Sequence, residues 1–189
     1  MSHTHALTVG EPASALRQYY FLRAGVAAVW VIAAFTIGSA SPAIGAGLLI
    51  SYPAWDAVAN GLDARSNGGF RANPSQALNA IVSLLAALGM VGALSTGINA
   101  MIAVFGVWAV LAGLLQLATG VRRWGAYGAQ WAMILSGAQS VLAGVFFVLQ
   151  AQGPAALSIA SVAGYAGFGA FYFLVSALWL TFRSGKRAA

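Results

Sequence analysis

Six stretches of about 20 predominantly apolar residues follow one another along the chain, each set off from the next by a few polar or turn-forming residues. A helix of about 20 residues, rising about 1.5 Å per residue, crosses the roughly 30 Å of bilayer hydrocarbon. The runs lie near 20–40, 43–64, 73–95, 98–120, 129–150 and 157–182. The expected fold class is therefore all-α: a polytopic membrane protein whose six transmembrane helices form three helical hairpins, 20–64, 73–120 and 129–182. Residues 1–13 read as a disordered cytoplasmic tail, 14–183 as a single six-helix domain, and 184–189 as a basic cytoplasmic tail.

Composition excludes the alternative of a soluble domain. Hydrophobic residues are 60% of the chain and charged residues 6%, where a soluble domain has roughly a quarter charged. The lipid bilayer is the expected partner. The chain has no cysteine, which removes disulfides, cysteine-based zinc and iron–sulfur sites, and a thiol nucleophile.

Charge placement sets the expected orientation. The nine Lys and Arg outnumber three Asp and Glu, and they fall in alternate gaps. Arg17 and Arg23 open the first run, Arg65 and Arg71 follow the second, Arg122 and Arg123 follow the fourth, and Arg183, Lys186 and Arg187 follow the sixth. The remaining gaps, around Ser41, Ser95-Thr96-Gly97 and Gln152-Gly153-Pro154, hold no cation. With six crossings all nine share one side, and the positive-inside rule places both termini in the cytoplasm. Cations dispersed in this way make no nucleic-acid surface. The preference for Arg over Lys, with abundant Ala and Gly, points to a GC-rich bacterial genome.

Two helix starts are marked locally. Ser14 is the expected N-cap of the first helix. In Asn73-Pro74-Ser75-Gln76, Asn73 is expected to cap, Pro74 to fill the first helical position and Gln76 to reach back to the cap.

The fourth and sixth runs look like copies: aligning Gly106 with Gly169 also aligns Leu111 with Leu174, Gly113 with Ser176 and Leu115 with Leu178. A threefold hairpin repeat with a diverged first unit is the expected architecture. Gly106, Leu111, Gly113, Gln116, Leu117, Gly120, Arg122 and Arg123, followed by Trp131, Leu135, Ser136, Gly137, Ser140, Leu142, Gly144 and Phe147, resemble the hairpin repeat of HdeD-type acid-resistance membrane proteins, a short repeat of unknown function. The resemblance covers about 95–182. It implies a multi-pass protein of the bacterial inner membrane tied to acid or envelope stress. The segment from Tyr52 to Gln76 departs from that pattern.

The departing segment is the most informative chemically. Tyr52, Asp56, Asn60 and Asp63, at i, i+4, i+8 and i+11, lie on one helical face. Asp56 stands about 14 Å inside the cytoplasmic end by helix rise, where an ionised carboxylate costs about 2.5–3.5 kcal/mol near the bilayer centre. It is expected to be paired, hydrated or protonated. Pro53 removes a backbone donor just ahead of it, a common kink device. Gln76, Asn79 and Ser83 share one face of the third run, so the two stripes can meet, and Arg23, at comparable depth in the first run, is placed either to snorkel or to reach Asp56. Two readings follow. In one, the cluster is a cytoplasm-facing polar cavity handling a proton or small cationic solute. In the other, it is structural glue, each interhelical hydrogen bond contributing about 0.6 kcal/mol.

Small residues form a second pattern. Gly106, Gly113 and Gly120 make a seam on the fourth run, and Ser136, Ser140 and Gly144 a ridge on the fifth. Packing within the chain is one reading; a homo-oligomer interface or a contact with a membrane-complex partner is the other. No metal, cofactor or enzymatic activity is expected. His3 and His5 lack further ligands nearby, the only lysine is terminal, and no Ser-His-Asp set or phosphate-binding loop can be assembled. The expected function is that of a non-enzymatic HdeD-type membrane protein, with a small channel or transporter using Asp56, or an accessory subunit, as alternatives.

Overall fold

The computed structural model describes residues 10–122, 124, 130–155 and 157–188, with 10–13 and 183–188 as backbone alone. These residues form α1 (Gly10–Ala33), α2 (Pro42–Ser66), α3 (Pro74–Ala93), α4 (Ile98–Arg122), α5 (Gln130–Ala151) and α6 (Ile159–Ala188), with a π-helical turn at Ala34–Gly38 closing α1. No strand occurs among them.

The helix starts follow from local chemistry with two corrections. α1 begins at Gly10 rather than at Ser14. Pro12 falls in the first turn, where proline's missing N–H has no partner to lose. Residues 1–9 lie outside the described residues. Pro74 does open α3, but the Asn73 side chain makes no cap. Its Nδ2 instead donates to the carbonyls of Asn67 (2.6 Å) and Gly69 (3.0 Å), tying down the α2–α3 loop. Gly68 and Gly69 adopt φ of 91° and 85° there, a left-handed backbone that glycine takes without steric cost.

Successive helices are antiparallel neighbours. Trp30 and Arg23 of α1 bond Leu48 and Asp56 of α2, and Ser83 and Gln76 of α3 bond Asp56 and Asp63 of α2. Ser75 and Ser83 likewise meet Arg122 and Trp108 of α4. Tyr20 of α1 packs on Phe173 of α6, which closes the six helices into a ring. The most extensive contacts join the second helix of each hairpin to the first of the next: α2 to α3, α4 to α5 and α6 to α1. One end of the ring gathers Arg17, Arg65, Arg71 and Arg122 (the basic end). The other carries the three turns after α1, α3 and α5.

The outer surface is apolar. Val29, Leu85, Leu142, Leu149 and Phe182 are each more than 60% exposed, an arrangement suited to lipid, which makes the chain an integral membrane protein. Five segments are long and apolar enough to cross a bilayer: Ser14–Gly38, Pro74–Ala93, Ile98–Arg122, Gln130–Ala151 and Ile159–Phe182. The expected count was six. α2, at 25 residues, is long enough, but Asp56, Asn60, Asp63 and Arg65 lower its average apolarity. Asp56, Asn60 and Asp63 are buried in the bundle, and α2 turns Ile44, Val58 and Leu62 outward.

The small-residue seam works within the chain. A Cβ built on Gly113 would lie 2.7 Å from the Gly137 carbonyl oxygen, and one on Gly106 2.7 Å from that of Gly144. Only glycine permits this approach, which brings α4 and α5 into backbone contact. Ser136 and Ser140 are buried beside it, and a Cβ on Gly120 would meet Ile134 at 2.9 Å. Gly113→Val and Gly144→Val are each expected to destabilise the bundle by about 2 kcal/mol or more, since backbone must move. Gly92→Ala, where nothing lies within 4 Å, should shift stability by less than about 0.5 kcal/mol. Unfolding midpoints in mixed detergent micelles compare the three.

Candidate functional site

The polar face of α2 points down the ring axis, and Tyr52, Asp56 and Asp63 on it meet residues of neighbouring helices. Arg23 forms an ion pair with Asp56 through Nη2 and Oδ1. The other carboxylate oxygen, Oδ2, accepts from Ser83 Oγ (2.8 Å) and Asn60 Nδ2 (2.9 Å). Ser83 is itself held by Trp108 Nε1 at 2.9 Å. Arg23 Nη1 donates to the Tyr19 hydroxyl (3.1 Å), and the guanidinium carbon lies 4.4 Å from the Phe173 ring centroid. The buried charge is thus neutralised by an opposite charge, hydrogen-bonded on both oxygens and backed by an aromatic face.

α2 and α3 meet in antiparallel rungs. Asp56 faces Ser83, and one and two turns nearer the basic end come Asn60 with Asn79 and Asp63 with Gln76. The end rungs are hydrogen-bonded: Gln76 Nε2 donates to Asp63 Oδ2 at 3.1 Å, while Asn67 Nδ2 donates to Asp63 Oδ1 at 3.0 Å. Gln76 therefore serves the neighbouring helix instead of its own N-terminus. The middle rung is different. Asn60 Nδ2 is directed back along α2 to Asp56, and the buried oxygens Asn79 Oδ1 and Gln76 Oε1 have no hydrogen-bond partner among the described residues.

Two cavities flank the Arg23–Asp56 pair. The one toward the basic end, about 60 Å³, is bordered by residues from every helix, among them Tyr19, Asp63, Gln76, Thr119, Met133 and Phe173. The deeper one, about 40 Å³, is also bordered by all six, including Tyr52, Trp108, Ser140 and Tyr165. Arg23, Asp56, Asn79, Gln116 and Phe173 border both, so the ion pair is the partition of one axial chamber. Cavities of this size and polarity hold a few waters each. Directly beyond the deeper cavity an aromatic and aliphatic layer fills the axis. Tyr52 packs edge-on against Trp30 (4.8 Å) and Trp108 (5.8 Å), and Phe105 against Trp108, Phe147 and Tyr165. Leu49, Met90, Ile102 and Val162 are fully buried there. The chamber is a polar recess near the basic end, sealed toward the turn end.

The fold brings Arg23, Tyr52, Asp56, Asn60, Gln76 and Asn79 to this chamber, with Ser83 bonded to Asp56 behind it. Sequence reasoning missed Trp108, Phe173, Tyr165, Gln116 and Thr119, which come from α4 and α6 and read as ordinary span residues. A buried indole must find an acceptor, and that requirement was the available signal for Trp108. His3 and His5 lie outside the described residues, and no cluster of three His, Cys, Asp or Glu occurs among the described ones.

Residues 72–149, which hold α3, α4 and all but the end of α5, match the family described as a short repeat of unknown function (DUF308). The match takes in Gln76, Asn79, Ser83 and the glycine seam, and leaves out α1 and α2, which carry Arg23 and Asp56. No curated protein and no solved structure matches the chain.

Removing one partner of a buried pair strands the other charge. Arg23→Met and Asp56→Leu are each expected to cost about 3–5 kcal/mol, and the double variant about 2 kcal/mol or more less than the sum. A double-mutant cycle on unfolding free energy reads this; additive single effects would mean the pair is not coupled.

Proposed function

We propose that the protein is a multi-pass protein of the bacterial inner membrane whose axial chamber admits water and a proton or small solute from the cytoplasmic side, serving tolerance to acid or envelope stress without enzymatic chemistry. The observation that carries this reading is the ionic, polar chamber bordered by all six helices and closed at one end by aromatic side chains. In a bundle this small, hydrogen bonds between adjacent helices suffice for assembly, whereas a buried carboxylate with space around it is costly and is kept where it is used.

In this reading α2 also crosses the bilayer. It runs antiparallel between α1 and α3, and its carboxylates face the chamber rather than lipid, so its average apolarity understates how well its outer face suits hydrocarbon. Six crossings then put Arg17, Arg65, Arg71 and Arg122 on one side, and the positive-inside rule makes that side cytoplasmic with both termini. The HdeD-type resemblance supports the stress-tolerance assignment, and the match over residues 72–149 supports a membrane-embedded repeat.

The absence of native cysteine permits a clean accessibility test. A single cysteine replacing Thr119 should react with an impermeant thiol reagent from the side carrying the termini only, and one replacing Ile102 should not react. In proteoliposomes, Asp56→Asn should reduce proton or solute flux about tenfold or more, and cells carrying it should lose acid survival. If flux and survival are unchanged in a folded Asp56→Asn protein, the chamber is a structural lock and the chain an accessory component.

A further inference from the structure

We infer that the turn end of the ring holds a binding site for a small uncharged molecule with an apolar body, in a cavity separate from the polar chamber. The cavity, about 330 Å³, is bordered by all three turns and shares no bordering residue with the chamber. Three helices show the same order on passing from the turn end inward: Gly45, Leu49 and Tyr52 on α2, Met101, Phe105 and Trp108 on α4, and Ile159, Val162 and Tyr165 on α6. In each set the first residue borders the turn-end cavity, the second is fully buried and the third borders the deeper part of the chamber. The space exists because the side chains around it are short: Gly38, Ser39, Gly45, Ala46, Gly97 and Ser158 are half of its border. Gly97 has φ of 109°, which disfavours any larger residue, and a Cβ on Gly45 would press on the Gly38 carbonyl oxygen at 3.0 Å. One wall is the π-helical turn Ala34–Gly38, a widened turn of the kind that recurs at functional sites.

The lining selects the guest. None of the described residues bordering the cavity is ionisable, so a charged guest would lose hydration and find no counter-charge. The floor is buried and apolar, with Gly45, Met101 and Ile159. Water there lacks the two to four polar partners it needs, and an empty floor forfeits dispersion contacts that a hydrocarbon restores. Hydroxyls stand only at the mouth, where Ser39 and Ser158 are exposed. Ser39 donates its hydrogen to the Ala34 carbonyl at 2.9 Å, which leaves its lone pairs for a donor on the guest. A molecule with an apolar body and one hydroxyl or amide-type end therefore fits. Size narrows it further. A dry apolar cavity of about 150 Å³ holds benzene; this one, at about 330 Å³, takes a body of about two fused rings, and it lies within the roughly 300–1,000 Å³ of small-molecule sites. The mouth opens at the turns, opposite the arginines of the basic end, so the guest enters from the solvent on that side.

The chain has no cysteine, so single thiols report on the site. Ser158→Cys places one at the mouth, and Gln152→Cys places one at an exposed position on the same end, outside the cavity. In the intact protein in detergent, 2-naphthol is expected to slow maleimide modification at position 158 saturably, by about fivefold or more, and to leave position 152 unchanged. Glycerol, which has hydroxyls and no apolar body, should slow neither. Ala46→Leu fills the cavity from a partly buried wall position and should abolish the protection. Leu94→Trp, at a half-exposed position on the mouth, should do the same and serves if Ala46→Leu fails to fold. No slowing by 2-naphthol, equal slowing at both positions, or protection undiminished in the filled variants overturns the site. So does a thiol at position 158 that reacts in detergent but is blocked in proteoliposomes without 2-naphthol, which would assign the cavity to a lipid chain. The labelling at position 119 reads the chamber separately, so either site can fail without the other.

Discussion

Hydrocarbon offers a polar group nothing, and that constraint orders the bundle around Asp56. An ionised carboxylate in a span must find its counter-charge and donors inside the protein. Here they come from different helices: Arg23 from α1, Ser83 from α3 and, through Ser83, Trp108 from α4. Phe173 of α6 lies over the guanidinium. Satisfying one side chain thus fixes the relative rotation of five helices. Dispersion and close packing hold the ring together, but they are tolerant of sliding and rotation. The pair and its donors are not, because a shift of one turn would leave a buried charge without its partner.

The glycine seam complements this. α4 and α5 approach until carbonyl oxygens lie 2.5–2.9 Å from where a Cβ would stand. The chamber lies where short polar side chains from α2 and α3 do not fill the space that Leu and Phe fill nearer the turns. The aromatic plug begins where α2 passes from Asp56 to Tyr52, and it rests on Phe105 and Tyr165. Polar recess and sealed end thus follow from where polar residues stop along α2.

Much of this was legible in the sequence because it is local or periodic. The helices follow from the apolar runs, and the antiparallel order from the short turns. The stripe from Tyr52 to Asp63 needed only the helical repeat, and its meeting with Gln76, Asn79 and Ser83 needed only the short α2–α3 loop. Arg23 could be placed by depth. What was hidden depends on which helices become neighbours. Closure of α1 on α6 brings Phe173 to Arg23, and nothing in either segment announces it. Gln76 looked like a capping residue because three-residue spacing is shared by capping boxes and by helical faces; the carboxylate of Asp63 outcompeted the backbone. Gly137 looked no different from other small residues until α4 lay against it.

The shortfall of α2 as a membrane span has the same origin. An average over a window treats all faces of a helix alike, which is sound for a helix surrounded by lipid and misleading for one whose polar stripe borders a chamber. Asp56, Asn60 and Asp63 lower the average of α2, yet they are buried in the bundle, and the outward face of α2 carries Ile44, Val58 and Leu62. A low average on a full-length helix between apolar neighbours therefore marks the helix that supplies the polar lining. By that argument the weakest of the six runs is the one that gives the bundle its chemistry. The family match over residues 72–149, which omits α1 and α2, covers a packing scaffold to which that polar helix contributes the charge.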